Sequence, residues 1–301
     1  MRNILVTGGT TFVSRFVAEY FVKQGDRVYI LNRGSKPQPE GVTLIKGDRN
    51  ALGDELKPLH FDAVLDITAY TRADVEHLHT ALGSFDDYIF ISTSAVYPET
   101  NPQPFRESQP CGPNSYWGAY GTNKLDAEQY LTEHIPQAYI LRPPYLYGPK
   151  QNLYREPFVF ECAEAEIPFC LPGDGDLTLQ FFHVEDLCRF MEILLARHPA
   201  ERIYNVGNPQ SVTVRQWAEL CYRTVGVPFE SINVGPEHPN WAYFPFRDYD
   251  YRLDASRQVA LMPELKPLGE GLAEEYVWFR DHREDVNRKP LLGYIKEHIL
   301  K

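Results

Sequence analysis

Tyr120 and Lys124 stand four residues apart in Tyr120-Gly121-Thr122-Asn123-Lys124, a spacing that puts a phenol and an ammonium on one face of a helix. A cation beside a phenol favours the phenolate, which can take the proton of a hydroxyl while two electrons leave the same carbon for a redox acceptor. The spacing alone is weak evidence: with 19 tyrosines in 301 residues, roughly 0.6 such pairs are expected by chance. A second polar cluster strengthens it. Ile91-Ser92-Thr93-Ser94-Ala95-Val96-Tyr97 closes an apolar run and carries Thr93, 27 residues before Tyr120, where a hydroxyl can bond the oxygen of a reacting alcohol.

A redox acceptor needs a seat, and Thr7-Gly8-Gly9-Thr10-Thr11-Phe12-Val13-Ser14 offers one. The segment lies between an apolar run and a helical pattern, where backbone N–H groups and the positive end of a helix meet a dinucleotide pyrophosphate. Gly8, Thr10, Thr11, Phe12 and Val13 are the candidate contacts. The G-x-x-G-x-x-G pattern reads Gly8, Thr11, Ser14, so a side chain at the second glycine position crowds the pyrophosphate unless the Thr10 and Thr11 hydroxyls bond it. A plain tight turn explains the same residues. At the end of the second strand an NAD enzyme presents an acid to the ribose 2′-hydroxyl. This chain has Asn32-Arg33-Gly34, which leans toward NADP, with Arg33 facing the 2′-phosphate; an exposed turn arginine is the plainer alternative. By the same logic Asp48 and Arg49 sit near adenine, and Thr68, Ala69 and Tyr70 flank the pyrophosphate and ribose.

The elements that must position these groups alternate. Apolar runs at 3–7, 28–31, 42–45, 63–67, 88–92 and 138–141 read as strands covered on both faces, and helical patterns lie between several of them. Val13, Phe16, Val17, Tyr20 and Phe21 form one stripe, with Gly25 as its stop. Further helices are expected at 72–82, 118–132, 185–195 and 213–225. The stretches 98–113 and 147–175, rich in proline, glycine and aromatics, read as loops over the carboxyl ends of the strands. The fold class is α/β: a Rossmann-type doubly wound parallel sheet with a smaller C-terminal substrate-binding lobe. Residues 1–150 form the dinucleotide-binding domain, 183–207 return to it, and 151–301 make up mainly the second lobe.

Composition sets the outer limits. Hydrophobic residues at 43% and charged residues at 24% are ordinary globular values. Five cysteines with no C-x-x-C pair read as free thiols in a reducing compartment. A net charge of −11 disfavours nucleic acid as a partner. The N-terminal sequence lacks a secretion-signal pattern and no window approaches the roughly 20 apolar residues of a bilayer span, so a cytoplasmic protein with no membrane association is expected. His77 and His79, two apart, do not share a helix face, and no metal site is expected. Tyr116, Trp117, Tyr145, Tyr147, Tyr154 and Phe158 read either as an aromatic substrate pocket or as packing.

Taken in order, the T-G-G-T turn, S-T-x-x-V-Y, Y-x-x-x-K, Leu141-Arg142-Pro143-Pro144-Tyr145-Leu146-Tyr147-Gly148-Pro149, and Pro172-Gly173-Asp174-Gly175 followed by Phe182-His183-Val184-Glu185-Asp186-Leu187 resemble the extended short-chain dehydrogenase/reductase family. These are the NAD-dependent epimerases and dehydratases of nucleotide sugars, and the likeness covers nearly the whole chain. It implies Thr93, Tyr120 and Lys124 as a catalytic triad, adds Ser92, Pro143 and Tyr145 to the cofactor contacts, and gives Thr93, Ser94, Tyr145 and Arg247 to the substrate. It further implies an NAD(P) cofactor, a small-molecule substrate of sugar-nucleotide type, and a homodimer. Sugar dehydratases carry two acids after the threonine; Ser94 and Ala95 here argue for epimerisation or reduction instead. Leu179-Gln180-Phe181 lacks the nucleotide-gripping arginine of the epimerases. A narrower likeness, carried by Asn32-Arg33-Gly34, Gly47-Asp48-Arg49 and Phe244-Pro245-Phe246-Arg247-Asp248 with Leu253-Asp254, is to the atypical branch of plant chloroplast stem-loop RNA-binding proteins and their bacterial relatives. That branch implies the alternative of a non-catalytic dinucleotide- or RNA-binding role.

Overall fold

The structure is a computed structural model that describes residues 1–300. Its centre is a seven-stranded sheet of β1 (Asn3–Thr7), β2 (Arg27–Asn32), β3 (Val42–Lys46), β4 (His60–Asp66), β5 (Ser84–Ile91), β6 (Tyr139–Arg142) and β7 (Ile203–Asn205). The order is β7-β6-β5-β4-β1-β2-β3, and every pairing is parallel. Such a sheet needs cover on both faces, and its residues answer that need: Ile4, Leu5, Val6, Val64, Leu65, Ile89 and Phe90 are fully buried. The crossover helices are α1 (Phe12–Lys23), α2 (Arg72–Ala81) and α3 (Ala119–His134), followed by α4 (Val184–Arg197) and α5 (Ser256–Leu261). The chain runs outward from β1 in both directions, to β2 on one side and β4 on the other, which opens a crevice at the carboxyl ends of those strands.

β4 and β5 each begin a few residues before the expected 63 and 88. Their first residues, such as His60, Ser84 and Asp86, are exposed and lack the apolar signature of the buried halves. β7 is three residues long, too short to show a period.

The chain divides into two compact units: Met1–Pro144 with Val184–Pro209 and Leu253–Leu265, and Tyr145–His183 with Gln210–Arg252 and the residues from Lys266 on. The second unit holds helices Glu156–Glu164, Val214–Val225 and Leu268–Asp281, and parallel strand pairs Tyr145–Tyr147 with Phe181–His183 and Phe169–Pro172 with Ser231–Val234. The expected loop at 147–175 thus contains a helix and a strand. Seven of the nine residues of Glu156–Glu164 are buried, so that helix offers little 3.6-residue contrast to detect. No described helix is long and apolar enough to cross a membrane. All five cysteines are free thiols.

Two buried charge clusters shape these units. In the first, Arg142 at the end of β6 donates through Nε to Glu128 Oε1 at 3.0 Å and through Nη2 to Glu128 Oε2, and its Nη1 donates to the Tyr97 hydroxyl at 2.8 Å. Ser92 also donates to Glu128, and Tyr97 donates to Asn205 Oδ1 at 2.8 Å. One network therefore ties α3 to the ends of β5, β6 and β7. In the second unit, Glu156 and Glu275 are both fully buried. Glu275 Oε2 accepts the Gly148 N–H at 2.8 Å, and Arg155 Nε lies 3.6 Å from Glu156 Oε2. Burial first, then the facing Glu156, pushes the Glu275 carboxyl well above the usual range.

A carboxyl whose pKa is higher folded than unfolded takes up a proton on folding, so stability falls as pH climbs from the unfolded carboxylate value toward the folded one. Glu275→Gln keeps an acceptor for Gly148 and needs no proton. Its melting temperature is expected to exceed that of the wild type at pH 8, with the difference shrinking toward pH 5, as read by scanning calorimetry. Arg142→Ala strands the Glu128 carboxylate in the core and is expected to lower stability by about 3–5 kcal/mol in urea titrations. Removing the exposed Arg72 from its 3.3 Å pair with Glu133 should cost under about 1 kcal/mol.

Candidate active site

The strand end of β5 turns sharply after Ile91. Thr93 is extended, with φ −161°, and its Oγ1 accepts the Ala95 N–H at 3.1 Å to cap the short turn Ser94–Val96. The start of α3 presses directly on that turn, since a Cβ at Gly121 would run into the Ala95 carbonyl. Gly118, with φ +52°, admits the chain to the helix from the left-handed region. These two glycines set Tyr120 beside Thr93. Tyr120 keeps 39% of its surface accessible. Burial raises the phenol pKa, the neighbouring Thr93 side chain lowers it, and Tyr70 raises it. The rings of Tyr70 and Trp117 stand 6.2 Å and 6.3 Å from that of Tyr120.

Lys124 lies one turn further along α3 and is 3% exposed. Its ammonium donates to the Ile91 carbonyl at 2.6 Å and sits 4.8 Å from the Phe90 ring centroid and 5.1 Å from that of Tyr70. Burial lowers its pKa to about 8, against a raising influence from Asp66. The same-face placement expected from the spacing is present, but the cation is turned to the β5 backbone and does not figure among the groups that shift the phenol.

The turn after β1 is the candidate dinucleotide seat. Gly8 and Gly9 have φ of +88° and +82°, which β-carbons would strain. Thr11 adopts extended φ −143° as the N-cap of α1, and no side chain caps that end, so the first N–H groups of the helix face outward as an anion would require. Thr11 and Ser14 fit without glycine: Ser14 Oγ donates to the Thr11 carbonyl at 3.0 Å. Phe12 carries φ +34° and is buried; Thr10 and Val13 are half-buried. Thr7 Oγ1 donates to Asp66 at 2.8 Å and accepts from the Ile67 and Thr68 N–H groups and the Thr68 hydroxyl, joining β1 to β4 beneath the turn.

The other candidates divide. Asn32 Nδ2 donates to the Gly8 carbonyl at 2.7 Å and to Gln38 at 2.9 Å, and its Oδ1 accepts the Gly34 N–H; its amide is thus committed to the turn. Arg33 is exposed, and Asp48, also exposed, accepts the Asn50 N–H. Arg49 faces inward, donating to Asp66 Oδ1 at 2.6 Å. Ala69 is buried. Ser92 is taken up by Glu128, and Ser94 N–H donates to the buried Pro143 carbonyl at 3.0 Å. Arg142 is part of a core ion pair. In the second unit Tyr145 packs its ring against Phe246 and Tyr251 at 4.6 Å and 5.4 Å, and Arg247 is exposed. Tyr147, Tyr154 and Phe158 are buried packing residues. Two residues escaped the sequence reading. Lys36 donates to Thr11 Oγ1 at 3.2 Å from a loop with no periodic signal. Glu128, a further turn beyond Lys124, was open to detection by continuing the same four-residue step.

The family model described as the NAD dependent epimerase/dehydratase family matches residues 4–207. The chloroplast stem-loop binding protein of 41 kDa b of Arabidopsis thaliana is 28% identical over 301 aligned residues, covering 91% of this chain and 78% of that one. A UDP-glucose 4-epimerase of Corynebacterium glutamicum is 26% identical, covering 75% and 81%. Among solved structures, the Thermotoga maritima UDP-glucose 4-epimerase with UDP-glucose superposes with a TM-score of 0.74 at 21% identity over 93% and 99% of the two chains. The Bordetella bronchiseptica enzyme WbmH in complex with NAD+ does so at 0.75 and 18%, over 94% and 99%. With the family model spanning both the glycine turn and the Tyr120 helix, this chain belongs to the NAD-dependent epimerase/dehydratase family.

Proposed function

We propose that this chain is an NAD(P)-dependent epimerase or oxidoreductase acting at a hydroxyl- or keto-bearing carbon of a sugar or sugar-nucleotide-like substrate. The observation that carries it is the Tyr120 phenol set near enough to Thr93 for that side chain to lower its pKa, with Lys124 one turn along the same helix. The nicotinamide dinucleotide would supply the two-electron acceptor and donor. Tyr120 exchanges the proton of the reacting hydroxyl, Thr93 steadies that oxygen with Ser94 beside it, and Lys124 holds the ribose hydroxyls. Gly8, Thr10, Thr11, Phe12 and Val13 bind the pyrophosphate; Asp48 and Thr68 to Tyr70 border the nucleoside. Arg33, with Lys36 bonded to Thr11, supports a 2′-phosphate and hence NADP. Tyr145 and Arg247 are the second unit's proposed substrate residues, and homodimerisation and a cytoplasmic site belong to the same reading. Ser94 and Ala95 offer no acid for water elimination, which favours epimerase or reductase over dehydratase.

A second reading, RNA or scaffold binding without turnover, draws on the Arabidopsis thaliana relative named as a stem-loop binding protein. A net charge of −11 opposes it.

Mass spectrometry of small molecules released from the purified protein should find a nicotinamide dinucleotide. With the substrate so identified, Tyr120→Phe is expected to lower turnover by about 10²–10⁴ while calorimetric dinucleotide affinity stays within about threefold. A salt-sensitive RNA shift that survives Tyr120→Phe, in a protein that binds neither NAD+ nor NADP+, would overturn the catalytic reading. Arg33→Ala and Lys36→Ala should each weaken NADP+ more than NAD+.

A further inference from the structure

Among the described residues Lys124 makes no ion pair, although it is a cation almost wholly removed from water. The charged groups around it are spoken for. Asp66, at the end of β4, is held by Arg49, Thr7 and Tyr88. Glu128, on α3 itself, is held by Arg142 and Ser92. Asp74, on α2, accepts from the Tyr70 and Thr71 N–H groups at 2.9 Å each. What faces the ammonium is the Ile91 carbonyl and two aromatic rings, Phe90 and Tyr70. The two rings are unlike. Phe90 is fully buried in the sheet, whereas Tyr70 is 57% exposed, its backbone pinned by the capping box at the start of α2. One wall of the cage is fixed and the other is a surface side chain that also borders the Tyr120 ring.

We propose that Tyr70 is a positioning residue that closes an aromatic cage over the Lys124 ammonium and thereby couples dinucleotide binding to the protonation of Lys124. The proposal rests on the dinucleotide-binding reading above. Tyr70 acts in two opposed ways: its π-face attracts the cation, and its bulk keeps water away, which disfavours the charge. Burial is the largest influence on Lys124 and brings its pKa to about 8, and the half-exposed Tyr70 ring is the outer wall of that burial. Beyond the proton given to the Ile91 carbonyl, the charged lysine keeps two N–H donors for ribose oxygens where the neutral amine keeps one, and only the charged form offsets the pyrophosphate charge. Dinucleotide affinity therefore declines as pH rises through about 8, because binding must then recruit a proton. Removing the ring readmits water and moves that decline to higher pH.

The test compares wild type, Tyr70→Phe and Tyr70→Ala, each first shown to melt cooperatively. The pH dependence of Lys124 labelling by an amine-selective reagent, read by peptide mass spectrometry without cofactor, is expected to have a midpoint near 8 in the wild type and in Tyr70→Phe. In Tyr70→Ala it should rise by about one unit or more toward the ordinary lysine value. In parallel, NAD+ and NADP+ affinity is measured against pH by quenching of tryptophan fluorescence, Trp117 being beside Tyr120. The wild-type affinity should fall above about pH 8 and that of Tyr70→Ala only at higher pH. A labelling midpoint that stays or drops in Tyr70→Ala, or that rises equally in Tyr70→Phe, overturns the cage. A wild type that binds neither dinucleotide overturns the coupling and the function proposed above, while the labelling midpoints still decide whether the cage exists.

Discussion

Glu128 lies in the core with its carboxylate enclosed by Arg142 and Ser92, and a charge in that position leaves α3 little choice of where to lie. A buried carboxylate without its guanidinium is far costlier than a misplaced apolar side chain, so the helix can slide or rotate only by breaking the pair. The point has force here because the sheet-facing side of α3 includes Gly121, Lys124 and Glu128 beside Ala127 and Leu131. An apolar stripe of that kind cannot define the helix register, and polar pairing does so instead. Tyr120, two turns before Glu128 on the same face, inherits its place from this constraint, as does Thr93 from its neighbour Ser92.

The sheet was legible because parallel strands buried on both faces are written as unbroken apolar runs, as in Ile4-Leu5-Val6 or Ile89-Phe90-Ile91. The same rule explains the misses. Helix Glu156–Glu164 is buried over most of its surface, so its sequence carries little period, and Pro157 near its start reads as a breaker although the first turn tolerates it. At the site, residue types were legible and partners were not. Arg49 resembles a ligand-binding residue in the sequence, because nothing local says that the acid it pairs with, Asp66, is waiting 17 residues away. The inward orientation of Lys124 is a tertiary fact of the same kind.

The turn after β1 shows how a family pattern can be kept without its residues. Where glycine is expected, Ser14 lies against Gly8 and turns its hydroxyl to the Thr11 carbonyl, and Thr11 needs no left-handed backbone. Asn32 replaces an acid and does different work, its amide drawing Gly8, Gln38 and Gly34 into one turn. With that amide occupied, the 2′ selection proposed above would rest on Arg33 and Lys36, cations with no acid at position 32 beside them.

The charge distribution bears on what kind of partner the crevice can take. A net charge of −11 sets a repulsive background for a long polyanion, whose binding grows with the number of phosphates neutralised. The dinucleotide proposed above asks for much less: a few open N–H groups at the start of α1, one or two cations from the loop after β2, and a lysine one turn beyond Tyr120. Those groups are clustered at the carboxyl ends of β1, β2 and β5, while arginines deeper in the first unit are neutralised by Asp66 and Glu128. Under the function proposed above, Arg33, Lys36 and Lys124 at one short crevice of an acidic protein suit a small anion better than a long one, with Tyr120 and Thr93 beside it.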